Sequence, residues 1–225
     1  MNQFNTIFVD TCTSTNDLAK KHQAYDVIYA GRQTKGKGRL GRTWIDGNGN
    51  LMASVVLPYK ENAQHYSFLI SLAIAQTLSF LSPRIKWPND ILIDGKKICG
   101  ILLEAVDDKL IIGFGINILS HPTDGLLYQT TDLQEQGYPV NVKKLLDDIL
   151  QNLSFVIDLY EKTGFKQIRL DWLQFAMGLG QGVIVNLPCE KLKGTFDNID
   201  ENGTMIVLDE NGKKHLITAG DVFLI

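Results

Sequence analysis

The sequence predicts an α+β fold in which a mixed, mainly antiparallel sheet is covered by helices and is followed by a small C-terminal β-barrel. Three observations support this. Apolar, strand-like runs are joined by hairpin turns, helical patterns separate groups of such runs, and the composition changes near residue 178 to short strands separated by tight turns. With 225 residues, 44% of them hydrophobic, the chain is long enough for one large domain and a small appendage.

The strands of the first domain are predicted from short apolar runs bounded by turn residues. The dipeptide Asp94-Gly95 marks a hairpin, and Asp107-Asp108 joins the two strands that follow it. Hairpins of this kind indicate antiparallel pairing. The predicted strands span residues 6–9, 27–30, 51–57, 84–87, 91–93, 98–105 and 110–118.

Four helices are predicted between these strands, starting with a helix near Ser14 that Ser14, Thr15 or Asn16 could cap. The others cover residues 62–81, 142–161 and 165–176. The most apolar run, at 67–81, covers only about 15 residues, whereas a membrane helix needs about 20. It is therefore interpreted as a core helix, and no membrane association is expected.

A domain boundary is predicted at the glycines of Met177–Gly182, which end the helical pattern. The first domain then covers residues 1–178 and the second covers 179–225. Five short strands fall in the second domain, at 183–187, 192–197, 204–208, 215–218 and 222–225. So short a barrel is marginal alone, and we expect it to pack against the first domain.

The composition excludes several classes of protein. A net charge of −3 argues against broad binding of nucleic acids or anionic membranes. Cys12, Cys99 and Cys189 are odd in number and distant from one another, and the four histidines lack metal-ligand spacing, so neither a disulfide framework nor a zinc site is predicted. The N-terminal residues do not resemble a secretion signal, and a cytoplasmic location is expected.

The most informative segment is 31–50, which carries six glycines and five basic residues against a single acid, Asp46. Glycines let backbone N–H groups approach an anion, and the basic side chains neutralise it. The segment could instead be an exposed basic loop. Long structureless loops are uncommon in compact domains and tend to be functional, so we favour a cradle for a phosphate or carboxylate.

Two phosphate-binding motifs are nearly matched here, but their context differs. Gly36, Gly38 and Gly41 fit G-x-G-x-x-G, yet no helix can begin at the third glycine. The spacing of Gly31 and Gly36 resembles a phosphate loop, but glycine stands where serine or threonine would bind magnesium. Neither a dinucleotide site nor a P-loop is predicted.

Two further motifs lie downstream of the glycine-rich segment. In Lys86-Trp87-Pro88-Asn89-Asp90 a lysine ends a strand at a proline turn, where it could hold a phosphate or be merely exposed. The nearby glycine-rich segment favours the phosphate. In Gly113-Phe114-Gly115-Ile116-Asn117 two alternating glycines predict that another group approaches the strand closely, and Asn117 emerges at the strand's end.

Taken in order, these motifs resemble those of the biotin protein ligases. The matching motifs are Ser14-Thr15-Asn16, Gln33, Gly36-Lys37-Gly38-Arg39-Leu40-Gly41-Arg42-Thr43-Trp44, Lys86-Trp87-Pro88-Asn89-Asp90, Lys97-Ile98-Cys99-Gly100-Ile101-Leu102-Leu103-Glu104 and Gly113-Phe114-Gly115-Ile116-Asn117. The resemblance covers the first domain nearly end to end. It implies the biotin/lipoate ligase fold, which is similar to class II synthetases, with a C-terminal SH3-like barrel. Too few residues precede Ser14 for the helix-turn-helix of many bacterial members, so no DNA or operator binding is expected.

The resemblance also implies a reaction. Biotin's carboxylate would attack the α-phosphorus of ATP, with Mg²⁺ accompanying the triphosphate, and the biotinyl-5′-adenylate would be protected from water beneath the glycine-rich segment. Lys86 and Arg39 are the catalytic candidates. Biotin would be bound by Ser14, Thr15, Asn16, Gln33, Gly36, Lys37, Gly38, Arg39, Lys86 and Gly100. ATP would be bound by Arg39, Arg42, Trp44, Lys86 and Asn117, with Trp44 stacked on adenine. The magnesium ligand is left open.

The expected protein partner is a biotin carboxyl carrier domain of acetyl-CoA carboxylase or a related carboxylase, whose lysine receives the biotin. A homodimer is possible. Two alternatives stay open at this point: a lipoate or octanoate ligase of the same superfamily, and a non-enzymatic module that binds nucleotides or RNA.

Overall fold

A computed structural model describes residues 3–45, 47–123, 128–187 and 190–225. Asp46, the acid of the glycine-rich segment, and Cys189, one of the three predicted free cysteines, lie outside the described residues. The first part of the chain forms a seven-stranded sheet, as the hairpin turns predict. Its strands are β1 (Asn5–Cys12), β2 (Asp26–Gln33), β3 (Leu51–Pro58), β4 (Arg84–Lys86), β5 (Asp90–Ile93), β6 (Lys96–Val106) and β7 (Lys109–Ile116).

The strand order is β1-β2-β3-β7-β6-β5-β4. Only β1 and β2 pair in parallel, and the other neighbours are antiparallel. The short helix α1 (Thr15–Ala19) makes the crossover between the two parallel strands. The predicted mixed, mainly antiparallel sheet is confirmed.

Successive residues of a strand point to opposite sides of the sheet. Both faces of this sheet carry apolar residues, and helices cover both. Val27, Val55 and Ile112 belong to the main core, which also contains α2 (His65–Thr77), α3 (Val142–Thr163) and α4 (Phe165–Phe175). The neighbouring residues on the same three strands, Ile28, Val56 and Ile111, pack instead against Ala19 of α1. The site described below lies on the α1 side of the fold.

The second helix is shorter than the predicted span of 62–81. It begins at His65 and ends at Thr77, and a single 3₁₀ turn, Ser79–Leu81, follows. The chain then reverses through Ser82, which has a left-handed backbone with φ 51°. An apolar run does not distinguish an α-helix from the 3₁₀ turn that ends it.

The C-terminal part forms a five-stranded antiparallel sheet. Its strands are β8 (Gly182–Asn186), β9 (Lys191–Ile199), β10 (Met205–Leu208), β11 (Lys214–Ile217) and β12 (Asp221–Leu224), and their order in the sheet is β11-β10-β9-β8-β12. This sheet packs on the first domain, as expected, and the hydrogen bonds that join the described residues of the two parts include three to backbone carbonyls. The Trp87 indole donates to the Gly203 carbonyl at 3.1 Å, His65 Nε2 lies 3.0 Å from the Glu201 carbonyl, and Arg169 donates to the Ile199 carbonyl.

Within the described ranges, no helix combines the length and the apolar character needed to cross a membrane.

Candidate functional site

A cavity of about 520 Å³ lies where α1, the glycine-rich segment, the turn after β4 and the C-terminal sheet meet. It gathers twelve of the thirteen site residues that the sequence predicts. These are Ser14, Thr15, Asn16, Gln33, Lys37, Gly38, Arg39, Arg42, Trp44, Lys86, Gly100 and Asn117. Ser14 and Asn117, which are 103 positions apart in the chain, therefore line the same cavity.

The floor of the cavity is bare backbone of β6 and β7. Gly100 and Gly115 are paired in register, and the Trp44 indole lies against both, so that a Cβ added at Gly100 would meet the ring at 3.0 Å. A side chain at Gly113 would overlap the Asn16 amide. The alternating glycines therefore admit close neighbours, as predicted from the sequence.

A chain of polar contacts fixes the α1 side of the cavity. The Thr15 amide and hydroxyl both donate to Gln33 Oε1, at 2.7 and 3.1 Å. The fully buried Ser54 hydroxyl lies 2.8 Å from Thr15 Oγ1 and 2.6 Å from Asn16 Oδ1. Asn16 donates in turn to Glu104 at 2.7 Å. These side chains are held in fixed orientations, which suits recognition of a small polar ring.

The glycine-rich segment folds into a small hairpin over the cavity. Two backbone hydrogen bonds close it, from Gly38 N to the Arg42 carbonyl at 2.7 Å and from Trp44 N to the Gly36 carbonyl at 3.0 Å. Leu40 and Gly41, with φ of 55° and 73°, turn the chain at its tip. We call residues 36–44 the lid hairpin.

Three polar side chains anchor the lid hairpin to three different parts of the fold. Lys37 Nζ lies 2.6 Å from Asp17 in α1, and Arg39 donates to Asn89 Oδ1 at 2.9 Å in the turn after β4. Arg42 makes a two-pronged ion pair, at 3.1 and 2.6 Å, with Asp221 of the C-terminal sheet.

Gly36 is the predicted site residue that does not line the cavity. It is buried beneath Trp44, and an added Cβ would meet the Trp44 carbonyl oxygen at 2.6 Å. The structure thus places Gly36 at the base of the lid hairpin, where its lack of a side chain lets the two strands of the hairpin approach.

Lys86 is the most perturbed cation of the site. Its side chain is 5% exposed, and its ammonium lies 3.1 Å from the centroid of the Tyr128 ring. Burial lowers the pKa of Lys86 to about 8, although Asp90 and Asp221 favour its charged form. An ammonium that is shielded from water interacts strongly with an arriving anion.

Two other basic residues respond differently to the same cavity. Burial lowers the pKa of Arg39, whereas the hydrogen bond to Asp221 raises the pKa of Arg42. The same pair lowers the pKa of the Asp221 carboxyl. The cavity therefore carries positive charge that Asp221 partly balances.

Asn117 Oδ1 and Trp44 Nε1 are among the buried polar atoms of the cavity that have no hydrogen-bond partner within the described residues. The Asn117 amide has a fixed orientation because its Nδ2 donates to the Thr131 carbonyl at 3.0 Å. Its Oδ1 is therefore an acceptor with a fixed position on a residue that lines the cavity. Leaving such an atom unpaired is unfavourable, which indicates that a ligand supplies the missing donor.

Several residues of the site do not stand out from the sequence. Lys97, whose Nζ lies 2.7 Å from Asp90, belongs to one of the motifs given above but is not among the predicted site residues. Its place directly before a predicted strand and close to Asp90 is the only signal in the sequence. Ser54 is an isolated polar residue in an apolar run, while Tyr128 and Asp221 carry no local signal, because only the tertiary fold brings them to the cavity.

Comparisons with known families and proteins point in one direction. Residues 8–119 match the biotin/lipoate A/B protein ligase family, and residues 178–225 match the biotin protein ligase C-terminal domain. A biotin–[acetyl-CoA-carboxylase] ligase of Paracoccus denitrificans is 30% identical over 87% of this chain and 89% of its own length. The bifunctional ligase/repressor BirA of Bacillus subtilis is 31% identical over 96% of this chain and 72% of its own.

The fold agrees with these sequence matches. The biotin protein ligase of Aquifex aeolicus, solved with biotin and ATP, superposes with a TM-score of 0.89. The two chains are 28% identical, and the alignment covers 98% of this chain and 99% of the other.

Proposed function

The chain belongs to the biotin protein ligase family, and from that membership we propose how its own residues carry out the reaction. The family's reaction joins biotin to ATP, giving biotinyl-5′-AMP and pyrophosphate, and then passes the biotinyl group to a protein lysine. The match to the C-terminal domain of biotin protein ligases favours biotin over lipoate or octanoate as the substrate. It also disfavours a non-enzymatic nucleotide or RNA binder.

The first step needs positive charge because a carboxylate must attack a polyanion. The biotin carboxylate oxygen would attack the α-phosphorus of ATP, and pyrophosphate would leave with the bonding electron pair. Lys86, Arg39 and Lys97 would stabilise the charge that develops there. A cation already fixed in a dry cavity stabilises such charge without reorganising.

The biotin site is proposed on the α1 side of the cavity. Ser14, Thr15, Asn16 and Gln33 offer donors and acceptors for the ureido ring, and Ser54 and Glu104 hold them in place. Lys37, Gly38 and Gly100 would contact the remainder of biotin. Gly36 supports this site from beneath Trp44.

The nucleotide site is proposed on the opposite side, near the end of β7. Asn117 Oδ1 is a fixed acceptor without a partner, and the exocyclic amino group of adenine is a donor. Guanine presents an oxygen at that position, so Asn117 would favour ATP over GTP. Trp44 would stack on the base, and Arg42 would contact the phosphates once they replace Asp221 as its partner.

Mg²⁺ fits the carboxylates that line the cavity in the described part of the chain. Asp90 and Asp221 are those carboxylates, and a magnesium site typically uses one or two carboxylates together with substrate phosphates. They would hold the ion with the triphosphate, where it would neutralise phosphate charge.

In the second step the neutral amine of the acceptor lysine would attack the acyl carbon of biotinyl-5′-AMP, and AMP would leave. We propose a biotin carboxyl carrier domain of acetyl-CoA carboxylase or a related carboxylase as the acceptor, in line with the relative from Paracoccus denitrificans. We also propose a domain boundary at residue 178, where the match to the C-terminal domain begins, and assembly as a homodimer.

The unpaired acceptor of Asn117, a residue that lines a cavity rich in cations, is the observation that carries this assignment. Biotin-dependent exchange of labelled pyrophosphate into ATP tests the first step. Transfer of labelled biotin to a carrier domain tests the second. Exchange that depended on lipoate and ignored biotin would overturn the proposal, as would tight RNA binding with a steep salt dependence and no adenylate formation.

A further inference from the structure

We propose that Asn50 is a positioning residue that sets the nucleotide site through Asn117, an inference that rests on the proposed function of Asn117. Asn50 ends the glycine-rich segment and directly precedes β3. The pairing of Leu51 with Ile116, continued by one residue, puts Asn50 opposite Asn117. The sequence offered no signal for it beyond its place at the end of that segment.

Both polar atoms of the Asn50 side chain form hydrogen bonds with the backbone of residues 118–120. Its Oδ1 accepts from the backbone N–H groups of Ile118, Leu119 and Ser120, at 2.8, 3.1 and 3.4 Å. Its Nδ2 donates to the Ser120 carbonyl at 2.9 Å. The side chain is only 2% exposed, so water cannot readily replace these bonds.

The turn before Asn50 fits closely against the same backbone. Side chains at Gly47 and Gly49 would overlap Ser120 and Leu119, and Gly49 has a left-handed φ of 82°. The end of the glycine-rich segment and residues 118–120 are therefore packed as one unit.

This unit completes the support of Asn117. The backbone N–H of Asn117 donates a hydrogen bond to the Ile98 carbonyl, and its carbonyl accepts one from the N–H of Leu133. Its side-chain Nδ2 donates to the Thr131 carbonyl. Residues 118–120, which directly follow Asn117, are held by Asn50. Without Asn50 the chain after Asn117 loses all four of these bonds, and we expect the Asn117 acceptor to lose its fixed direction.

The test is steady-state pyrophosphate exchange with Asn50→Ala. We expect the KM for MgATP to rise about fivefold or more, because misplacing one acceptor costs about one hydrogen bond to the base. The KM for biotin should change by less than about twofold, because the biotin groups lie on the α1 side. The preference for ATP over GTP should also fall.

Two further variants separate positioning from loss of stability. Asn50→Asp keeps an acceptor for the three N–H groups and should restore the preference for ATP over GTP. Asn152→Ala, which removes a 2.8 Å hydrogen bond to Thr77 far from the cavity, should leave both KM values unchanged. If Asn50→Ala fails to fold, Asn50→Ser takes its place in the same comparison. Serine keeps one acceptor but is too short to reach all three amides.

The double variant Asn50→Ala/Asn117→Ala decides whether Asn50 acts through Asn117. If it does, the double variant should have the same KM for MgATP as Asn117→Ala alone. The inference would be overturned if the effects of the two single variants on the KM for MgATP multiplied in the double variant. It would also be overturned if Asn50→Ala raised the KM for biotin as much as the KM for MgATP. A wild-type protein without biotin-dependent exchange would instead overturn the proposed function, so the two failures can be told apart.

Discussion

Lys86 shows how burial prepares one residue for an anionic substrate. Its ammonium lies over the Tyr128 ring with little exposure, and this burial depresses its pKa to about 8. In the proposed reaction the same ammonium faces the carboxylate and phosphates that must approach each other. The ammonium is desolvated when the protein folds, so the positive charge is already in place when the substrates arrive.

Replacing Lys86 with alanine should slow adenylate formation by a factor of about 10² to 10⁴, which is typical when one preorganised charge is lost from a reacting centre. Biotin binding should weaken much less. Pyrophosphate exchange and equilibrium binding of labelled biotin measure the two effects. Lys60→Ala, which breaks only a surface ion pair with Glu161, is the control. A pyrophosphate exchange rate within a factor of a few of wild type would show that Lys86 does not contribute to adenylate formation.

The lowered pKa of Lys86 also predicts a pH profile. Lys86 loses its proton as the pH rises through about 8, so kcat/KM for ATP should fall above that pH. Because the folded pKa lies below that of the unfolded chain, the unfolded state binds more protons between them, and this group favours folding more as the pH rises through that window. A Lys86→Arg variant stays charged, and its profile should be flat there. An equal decline in both proteins would contradict the assignment.

Arg39 is expected to retain the intermediate. It reaches from the lid hairpin to Asn89 at 2.9 Å, half-buried beside the cavity. Arg39→Gly removes this anchor and adds backbone freedom, so biotinyl-5′-AMP should form but escape before transfer. The measurement compares labelled biotin appearing on serum albumin with wild type and variant. A variant that made adenylate but labelled only the carrier domain would show that retention comes from elsewhere.

At the scale of elements, the sequence predicts most strands and helices correctly, because alternating apolar residues and turn pairs are local signals. Asp94 and Gly95 both adopt the left-handed backbone expected of such a hairpin. The parallel pairing of β1 with β2 was not predicted, since the crossover helix has only five residues. Tertiary packing alone brings Tyr128 over Lys86 and Asn50 to residues 118–120, so local patterns could not place them.

The lid hairpin is the element whose order should depend on ligands. Apart from Trp44 its only apolar side chain is Leu40, which is exposed, and polar side chains provide its three anchors. Its backbone amides should therefore exchange faster than those of the flanking β2 and β3, and biotin with ATP should slow them. Amide hydrogen exchange measures both states. Exchange already as slow as that of β3 without ligands would contradict the prediction.

At the scale of the whole molecule, the C-terminal sheet contributes directly to the cavity. Gly220, Asp221 and Val222 line it, and Phe223 stacks on Tyr128 at 5.2 Å between ring centroids. Asp221 lies 179 positions from Arg42 in the chain, yet their ion pair joins the lid hairpin to this sheet. The sheet thus acts as a wall of the site and as an anchor of its lid, which explains why a small C-terminal unit is packed there.

Asp221→Asn should therefore loosen the lid hairpin before any ligand binds, because a neutral amide cannot hold the Arg42 guanidinium as a carboxylate does. Amide exchange at residues 36–44 should quicken, whereas Asp197→Asn, the same change at an exposed position of the same sheet, should leave it unaltered. The free energy of unfolding should fall by at most about 1 kcal/mol, since the pair is partly exposed to solvent. The lowered pKa of Asp221 means that this contribution is present above the unfolded pKa and is lost as the pH falls through the folded one. Unchanged exchange in the lid would show that the C-terminal sheet shapes the cavity without controlling its closure.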